Sequence, residues 1–246
     1  MKKLQVIFFA LCIFCFVGCS EESPSPDPNP TPNTNLDILP IGDSRVQGLR
    51  PEFESYRFEL WKNLLNANYT FDLVGNRFDD ASYPDFNGQS FDRDHGGIGG
   101  DRTQDVLDRM PPLLNALNGP LEVVLLGIGG NDLLGGIPIS TIMSNMNLII
   151  DQFQAHSPDV TIFVEQIAPG RSDINTPELL SSFTEMNSQI APLATTASTD
   201  RSSIIVVDMF TGWGDQYMAD DVHYNEAGAK LVADRYFAAI QANISN

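Results

Sequence analysis

The chain has 246 residues, room for one generous α/β domain, and its 32 acidic against 14 basic side chains give a formal net charge of −18. Such a surface repels phosphate backbones and anionic lipid headgroups, which argues against a nucleic-acid partner and favours neutral substrates over polyanions. All three cysteines (Cys12, Cys15 and Cys19) lie near the N-terminus, so the remainder offers no disulfide, no cysteine metal site and no thiol nucleophile.

Lys2 and Lys3 precede an apolar run from Val6 to Val17. The run is too short to span a bilayer and matches the charged and apolar regions of an export signal. It ends in Phe16-Val17-Gly18-Cys19, which resembles the lipobox of a bacterial lipoprotein, with Phe16 in place of the usual Leu. The resemblance implies a signal peptide over 1–18, cleavage after Gly18 and a lipid on Cys19; ordinary secretion with an incidental cysteine is the alternative. Losing residues 1–18 removes two lysines and no acid, moving the charge from −18 to −20. Over 19–35, Pro24, Pro26, Pro28, Pro30 and Pro32 alternate with small polar residues. That composition favours polyproline II, and at about 3.1 Å per residue it makes a tether of roughly 50 Å. The expected location is therefore outside the cytoplasm, anchored to a membrane through Cys19, at the outer membrane or cell surface.

From residue 36 onward apolar runs alternate with helical stripes. Leu36–Ile41 reads as the first strand, followed by a helix with Phe53, Tyr56, Leu60 and Leu64 on one face. Phe71–Val74 is the second strand. Val106, Met110, Leu114 and Leu117 then mark a helix, Glu122–Leu126 a strand, and Ile142, Met146, Ile149 and Phe153 another helix. Val160–Val164 and Ser203–Val207 complete five strands, and a last helix starts at Asn225, a good N-cap. Strands separated by helices form right-handed βαβ units. The expected fold is thus an α/β, flavodoxin-like three-layer αβα sandwich over 36–246, with a five-stranded parallel sheet in the order 2-1-3-4-5. Ligands in such sheets sit beyond the carboxyl ends of the strands, the edge where Ser44, Gly100 and Asn131 fall.

Gly42-Asp43-Ser44 follows the first strand directly, where a sharp turn exposes a hydroxyl and Asp43 can brace the turn. A serine becomes a good nucleophile when an imidazole takes its proton and a carboxylate orients that imidazole. His95, His156 and His223 each have an acid three residues away (Asp92, Asp159 and Asp220), and the candidate base is His223, where one turn could present Asp220 and the imidazole together. His156 reads as a solvated loop residue. A surface His–Asp pair is the plain alternative for the motif by itself. Gly99-Gly100-Asp101-Arg102-Thr103 opens a helix, so the Gly100 N–H can face the pocket; Asn131, in Gly129-Gly130-Asn131-Asp132, can donate its side-chain amide. Neither loop has the G-x-G-x-x-G or G-x-x-x-x-G-K-[ST] spacing of a phosphate cradle.

These four blocks, in order, resemble the SGNH hydrolases, also called GDSL esterases, over about residues 36–246. The resemblance implies Ser44 as nucleophile, His223 as general base and then acid, and Asp220 as its orienting carboxylate. It also implies an oxyanion hole from the Ser44 N–H, the Gly100 N–H and the Asn131 side chain, with no cofactor and no metal. Asp92, Asp94 and His95 could bind a metal, but read better as a polar loop. Tyr56 to Trp61, Phe71 to Gly75 and Asp94 to Gly97 are similar to segments of the acetyl-xylan-esterase-like branch, with departures at Arg45, Gly96 and Ile98. The implied function is hydrolysis of short acyl esters, acetyl first, on a carbohydrate or small molecule. A lipase, lysophospholipase or thioesterase of the same family is the alternative, and a non-catalytic glycan-binding lipoprotein is another. Arg45 has two readings: an ion pair with a nearby acid, or a grip on an anionic substrate. Composition leaves the oligomeric state open.

Overall fold

The computed structural model describes residues 35–245; the expected signal peptide, most of the tether and the expected lipidation site at Cys19 lie outside the described residues. Strand β1 (Asn35–Gly42) is the spine. Its first half pairs in parallel with β2 (Thr70–Leu73), and its other edge with β5 (Val123–Gly127). Beyond β5 lie β6 (Thr161–Gln166) and β7 (Ile204–Asp208), both parallel. The order β2-β1-β5-β6-β7 is the expected 2-1-3-4-5 of the five apolar runs.

Two further strands enlarge the sheet to seven. β4 (Asp94–Gly97) pairs in parallel with the end of β1, and β3 (Arg77–Phe78) lies antiparallel to β4. The sequence hides β4 because two of its four residues are glycines. A Cβ on Gly97 would lie 2.9 Å from Val46 Cβ, so the strand approaches the serine turn only without side chains.

Alternation along the strands builds the three layers. Leu39, Ile41, Val124, Leu126, Ile162 and Val164 face one core, against α3 (Thr103–Ala116), α5 (Ile139–His156) and α6 (Pro177–Ala197). Ile38, Val123, Leu125 and Phe163 face the other, against α2 (Arg57–Asn66) and α7 (Glu226–Asn243). Each fully buried aliphatic side chain contributes about 1.5–3 kcal/mol, so both faces are held strongly. Asn225 does cap α7, its side chain accepting from Gly228 N at 3.0 Å.

Two readings of the sequence need correction. Phe53 is not on the helix that carries Leu60 and Leu64, because α2 begins only at Arg57. The 21-residue helix α6 has no counterpart among the expected elements, although Thr176 caps it and Phe183, Met186 and Ile190 bury one stripe. Its Ser- and Thr-rich outer face and Pro192 mask the period. Among the described residues, no helix is long and apolar enough to cross a membrane.

Candidate active site

β1 ends where the chain must turn under β5. A Cβ on Gly42 would lie 1.9 Å from the Gly127 carbonyl oxygen, so only glycine fits. Asp43 then caps a one-turn helix, α1 (Ser44–Gln47): its Oδ1 accepts from Arg45 N at 2.9 Å and its carbonyl from Gln47 N at 2.9 Å. Ser44 is the first residue of that turn, with its hydroxyl at the carboxyl edge of the sheet.

His223 comes from the loop between β7 and α7. Its Nε2 lies 2.9 Å from Ser44 Oγ, and its Nδ1 lies 2.7 Å from Asp220 Oδ2. The second Asp220 oxygen accepts from the backbone N–H groups of Val222 and His223, at 2.9 and 2.8 Å. Partial burial pushes the Asp220 carboxyl upward. The hydrogen bonds from His223 and those two amides outweigh it and hold the group below the usual aspartate range. The three residues expected from the sequence thus meet in one unbroken chain of contacts across 179 positions.

Asn131 shares the lining of a small cavity with Ser44, and Gly100 follows Gly99, where a Cβ would stand 3.8 Å from Ser44 Cβ. Gly100 has φ +83°, a left-handed conformation that favours glycine, and open space where a Cβ would stand. Neither the Ser44 N–H nor the Gly100 N–H has an acceptor among the described residues. Asn131, on the short helix α4 (Gly130–Leu134), donates through Nδ2 to the Asp101 carbonyl at 3.0 Å, which leaves its second N–H free.

The parts that hold these donors in register go beyond the expected residues. Buried Asp132 accepts from Thr103 N at 2.9 Å and from Thr103 Oγ1 at 2.7 Å, cross-linking the Gly100 and Asn131 loops. Arg109 bonds Asp101 at 2.7 Å and the Gly96 carbonyl at 2.8 Å, tying the Gly100 loop to β4. Gln47 accepts the Gly99 N–H. Phe53 stacks on the His223 ring, centroids 3.8 Å apart and planes at 10°. Only the Asp132 brace has a visible signal in the sequence, as the residue after Asn131.

Arg45 fits neither of its two expected readings. Its Nε donates to the Val222 carbonyl at 2.8 Å, Nη1 to Ala168 at 2.6 Å and Nη2 to Pro169 at 3.3 Å. Its guanidinium lies over the Tyr224 ring, 5.0 Å from the centroid. The group is spent on backbone carbonyls of the histidine loop and the β6–α6 loop. Although Arg45 is also in the lining of the small cavity beside Ser44, it forms no ion pair among the described residues. Beneath it lies Glu165, fully buried and bonded by Tyr236 Oη at 2.7 Å; burial pushes its carboxyl up to about 7.

The remaining histidines lie apart from the serine. His95 is buried in β4, its Nδ1 accepting from Gly97 N at 3.1 Å. Burial first, then the positive charge of Arg57, pushes it down to about 3. His156 ends α5 with its Nδ1 2.8 Å from Ser157 Oγ, half-buried rather than fully solvated. Asp92 is occupied by the Leu73 and Asp94 amides, at 2.6 and 3.3 Å. Among the described residues, no cluster of three His, Cys, Asp or Glu could hold a metal ion.

Two cavities lie near the α1 turn, and Ser44 is in the lining of the smaller. One, of about 20 Å³, is lined by Ser44, Asn131, Leu134, Gly170, Phe183 and Val222 among others. The other, of about 470 Å³, runs along Gln47–Arg50, Arg77–Ala81 and the Gly97–Ile98 stretch.

The sequence profile of the GDSL-like lipase/acylhydrolase family matches residues 41–231. No match was found among curated proteins. Among solved structures, a family 3 carbohydrate esterase from Talaromyces cellulolyticus superposes with a TM-score of 0.70 at 22% identity, covering 82% of this chain and 95% of its own. A family 3 carbohydrate esterase from Clostridium thermocellum gives 0.67 at 26% identity, covering 84% and 95%. An acetyl xylan esterase gives 0.61 at 18% identity, covering 83% and 100%.

Proposed function

The chain belongs to the GDSL-like lipase/acylhydrolase family of carboxylic ester hydrolases, and we propose that it removes short acyl groups, acetyl above all, from carbohydrate. The observation that carries this reading is the continuous Asp220–His223–Ser44 chain, with contacts of 2.7 and 2.9 Å, ending beside a cavity of about 20 Å³. A cavity of that size holds about one water-sized group. The methyl of an acetyl group fits it; a long acyl chain does not, which weighs against a lipase, lysophospholipase or thioesterase. A binding protein without turnover has no need of the whole constellation.

In this mechanism His223 Nε2 takes the Ser44 proton as Oγ attacks the ester carbonyl carbon. Asp220 holds the imidazole by its Nδ1–H and stabilises the imidazolium that forms. Negative charge on the carbonyl oxygen is met by the Ser44 N–H, the Gly100 N–H and the free Asn131 N–H. Losing one such donor typically costs about 10²–10³ in rate. His223 then gives its proton to the leaving sugar oxygen as the carbon–oxygen bond breaks. Water, activated by the same imidazole, hydrolyses the acyl-serine. Phe53 and Arg45 hold the imidazole and its loop while it gains and then loses a positive charge.

The likeness to two family 3 carbohydrate esterases and an acetyl xylan esterase supports a sugar leaving group. The leader sequence supports export, with residues 1–18 removed and Cys19 as membrane anchor, 19–35 as tether and 36–246 as the hydrolase domain. The test is hydrolysis of p-nitrophenyl acetate and release of acetate from acetylated xylan by the purified protein and by Ser44→Ala. Turnover lost only in the variant supports the reading; equal turnover in both, or cleavage of long-chain esters alone, would sink it.

A further inference from the structure

A third cavity, of about 10 Å³, lies beneath the α1 turn, lined by Asp43, Arg45, Gly127, Gly130, Glu165 and Ile167 among others. It has room for about one water. Two carboxyl groups lie against its glycine walls. A Cβ on Gly127 would stand 2.8 Å from Glu165 Cδ and Oε1, and a Cβ on Gly130 would stand 3.9 Å from Asp43 Oδ2. Both acids are buried, Asp43 at 6% and Glu165 at 4% exposure. Among the described residues of the lining, Arg45 is the one cation.

Two buried acids beside one cation retain a proton between them, because a second buried negative charge would have no partner. Burial pushes Asp43 upward, while the Arg45 charge and its backbone N–H, 2.9 Å from Oδ1, pull it back. Glu165 accepts from the Tyr236 hydroxyl at 2.7 Å, and burial leaves it with the proton until about pH 7. The other groups around Glu165 hold their charge over this range. Tyr236 on α7, Tyr56 ahead of α2 and Tyr224 after His223 are buried phenols, and burial pushes the titration of each upward. β5 and β7 set Gly127 and Val207 beside Glu165, neither of which titrates. Both ends of the catalytic chain start from this lining. Asp43 caps the turn that carries Ser44, and Arg45 holds the carbonyls of Val222, Ala168 and Pro169, the first of them next to His223.

We propose that Glu165 is a positioning residue for both ends, acting on Ser44 through Asp43 and on His223 through Arg45. Its effect on turnover rests on the esterase reading above. Neutral, Glu165 leaves one anion and one cation in the cavity wall, and each keeps the contacts that fix its loop. Ionised, it sets a second anion near Asp43 and competes with the three carbonyls for the Arg45 guanidinium. Ser44 Oγ and His223 Nε2 then lose the placement that holds them 2.9 Å apart.

The test follows kcat for p-nitrophenyl acetate against pH in the full wild-type protein and in Glu165→Gln, a neutral side chain that still accepts from Tyr236. Taking the ratio of variant to wild type cancels the titration of His223 itself, which both share. That ratio should rise about tenfold between about pH 6 and about pH 8, the loss expected when a group titrating at about 7 must stay protonated, while KM holds. A flat ratio, or a rise that only tracks unfolding of the wild type by circular dichroism, overturns the role. The carbon-bound imidazole protons of His223, followed by NMR, need no turnover. The wild type should show a second titration step at about pH 7 that Glu165→Gln lacks, and identical curves remove the proposal. If neither protein cleaves the ester but the second step is present, the esterase reading fails and the coupling stands.

Discussion

The two cavities near the α1 turn are built on opposite plans. At one, α4, the β6–α6 loop and the buried ring of Phe183 close around about 20 Å³. At the other, β3, β4 and the chain after α1 leave about 470 Å³ lined by arginines and exposed apolar groups. The tight side uses main-sheet elements and a core side chain, so its size is fixed by packing that resists change. The open side rests on the two short added strands and a long connection from Asp79 to Arg93. That connection is secured by Phe58, Trp61, Tyr83 and Phe91, whose rings meet at 4.7–5.5 Å between the loop and α2. On the proposed function, the tight side limits the acyl part of an ester.

The contrast breaks first if the catalytic chain between the two sides is wrong. His223→Ala is expected to lower kcat for p-nitrophenyl acetate by roughly 10⁴-fold or more, with an unchanged melting temperature. Asp220→Asn should cost less, about a hundredfold, because the Asp220 side chain is 51% exposed and water can partly replace it. Steady-state rates with full activity in either variant would reject the site.

A chain-length series sharpens the tight side. The kcat/KM for p-nitrophenyl esters should fall about a hundredfold from acetate to butanoate, since each added methylene must displace packed neighbours. Leu134→Ala, at the mouth of the small cavity, should raise the butanoate rate by about tenfold and leave acetate nearly unchanged. A flat series would mean that the acyl group lies elsewhere.

Smaller effects probe the frame under Ser44. Arg45→Lys replaces a three-carbonyl grip by a single point charge, so kcat should fall by about tenfold while KM holds. A change confined to KM for anionic esters would instead restore Arg45 to substrate binding. Glu165 tests stability. Its folded value of about 7 lies above its usual 4.5, so the folded chain keeps a proton that the unfolded chain releases. Stability therefore falls as pH rises from about 4.5 through about 7. Glu165→Gln should remove that slope, stabilising the protein by roughly 1–3 kcal/mol at pH 8 and hardly at pH 4. Thermal melts of both proteins at the two pH values decide it.

The unequal legibility of the sequence follows the same division. The five central strands announce themselves because buried parallel strands are unbroken apolar runs, and the proposed oxyanion loops because glycines cluster in them. Ser44, Asp220 and His223 are readable because Gly42-Asp43-Ser44 closes the first apolar run and only three histidines compete for the role of the proposed base. β3 and β4 are not, because β3 is only two residues long and β4 meets β1 through Gly96 and Gly97, which leaves no apolar period. Phe53 misleads for a related reason: spacing of three and four continues past the helix it suggests, and only the tertiary fold shows that the ring stacks on His223. The purpose of Arg45 depends on carbonyls 123–177 positions away, which no local pattern encodes.

The Thr103–Asp132 brace has a consequence for moving this chemistry elsewhere. Both loops that would stabilise the oxyanion hang from one buried carboxylate, so their separation is set by a single part. Grafting the four sequence blocks onto another parallel sheet would transfer the donors without the ruler that spaces them. A transplant that carried Thr103, Asp132 and Arg109 along with the blocks would move a gauge as well as a motif.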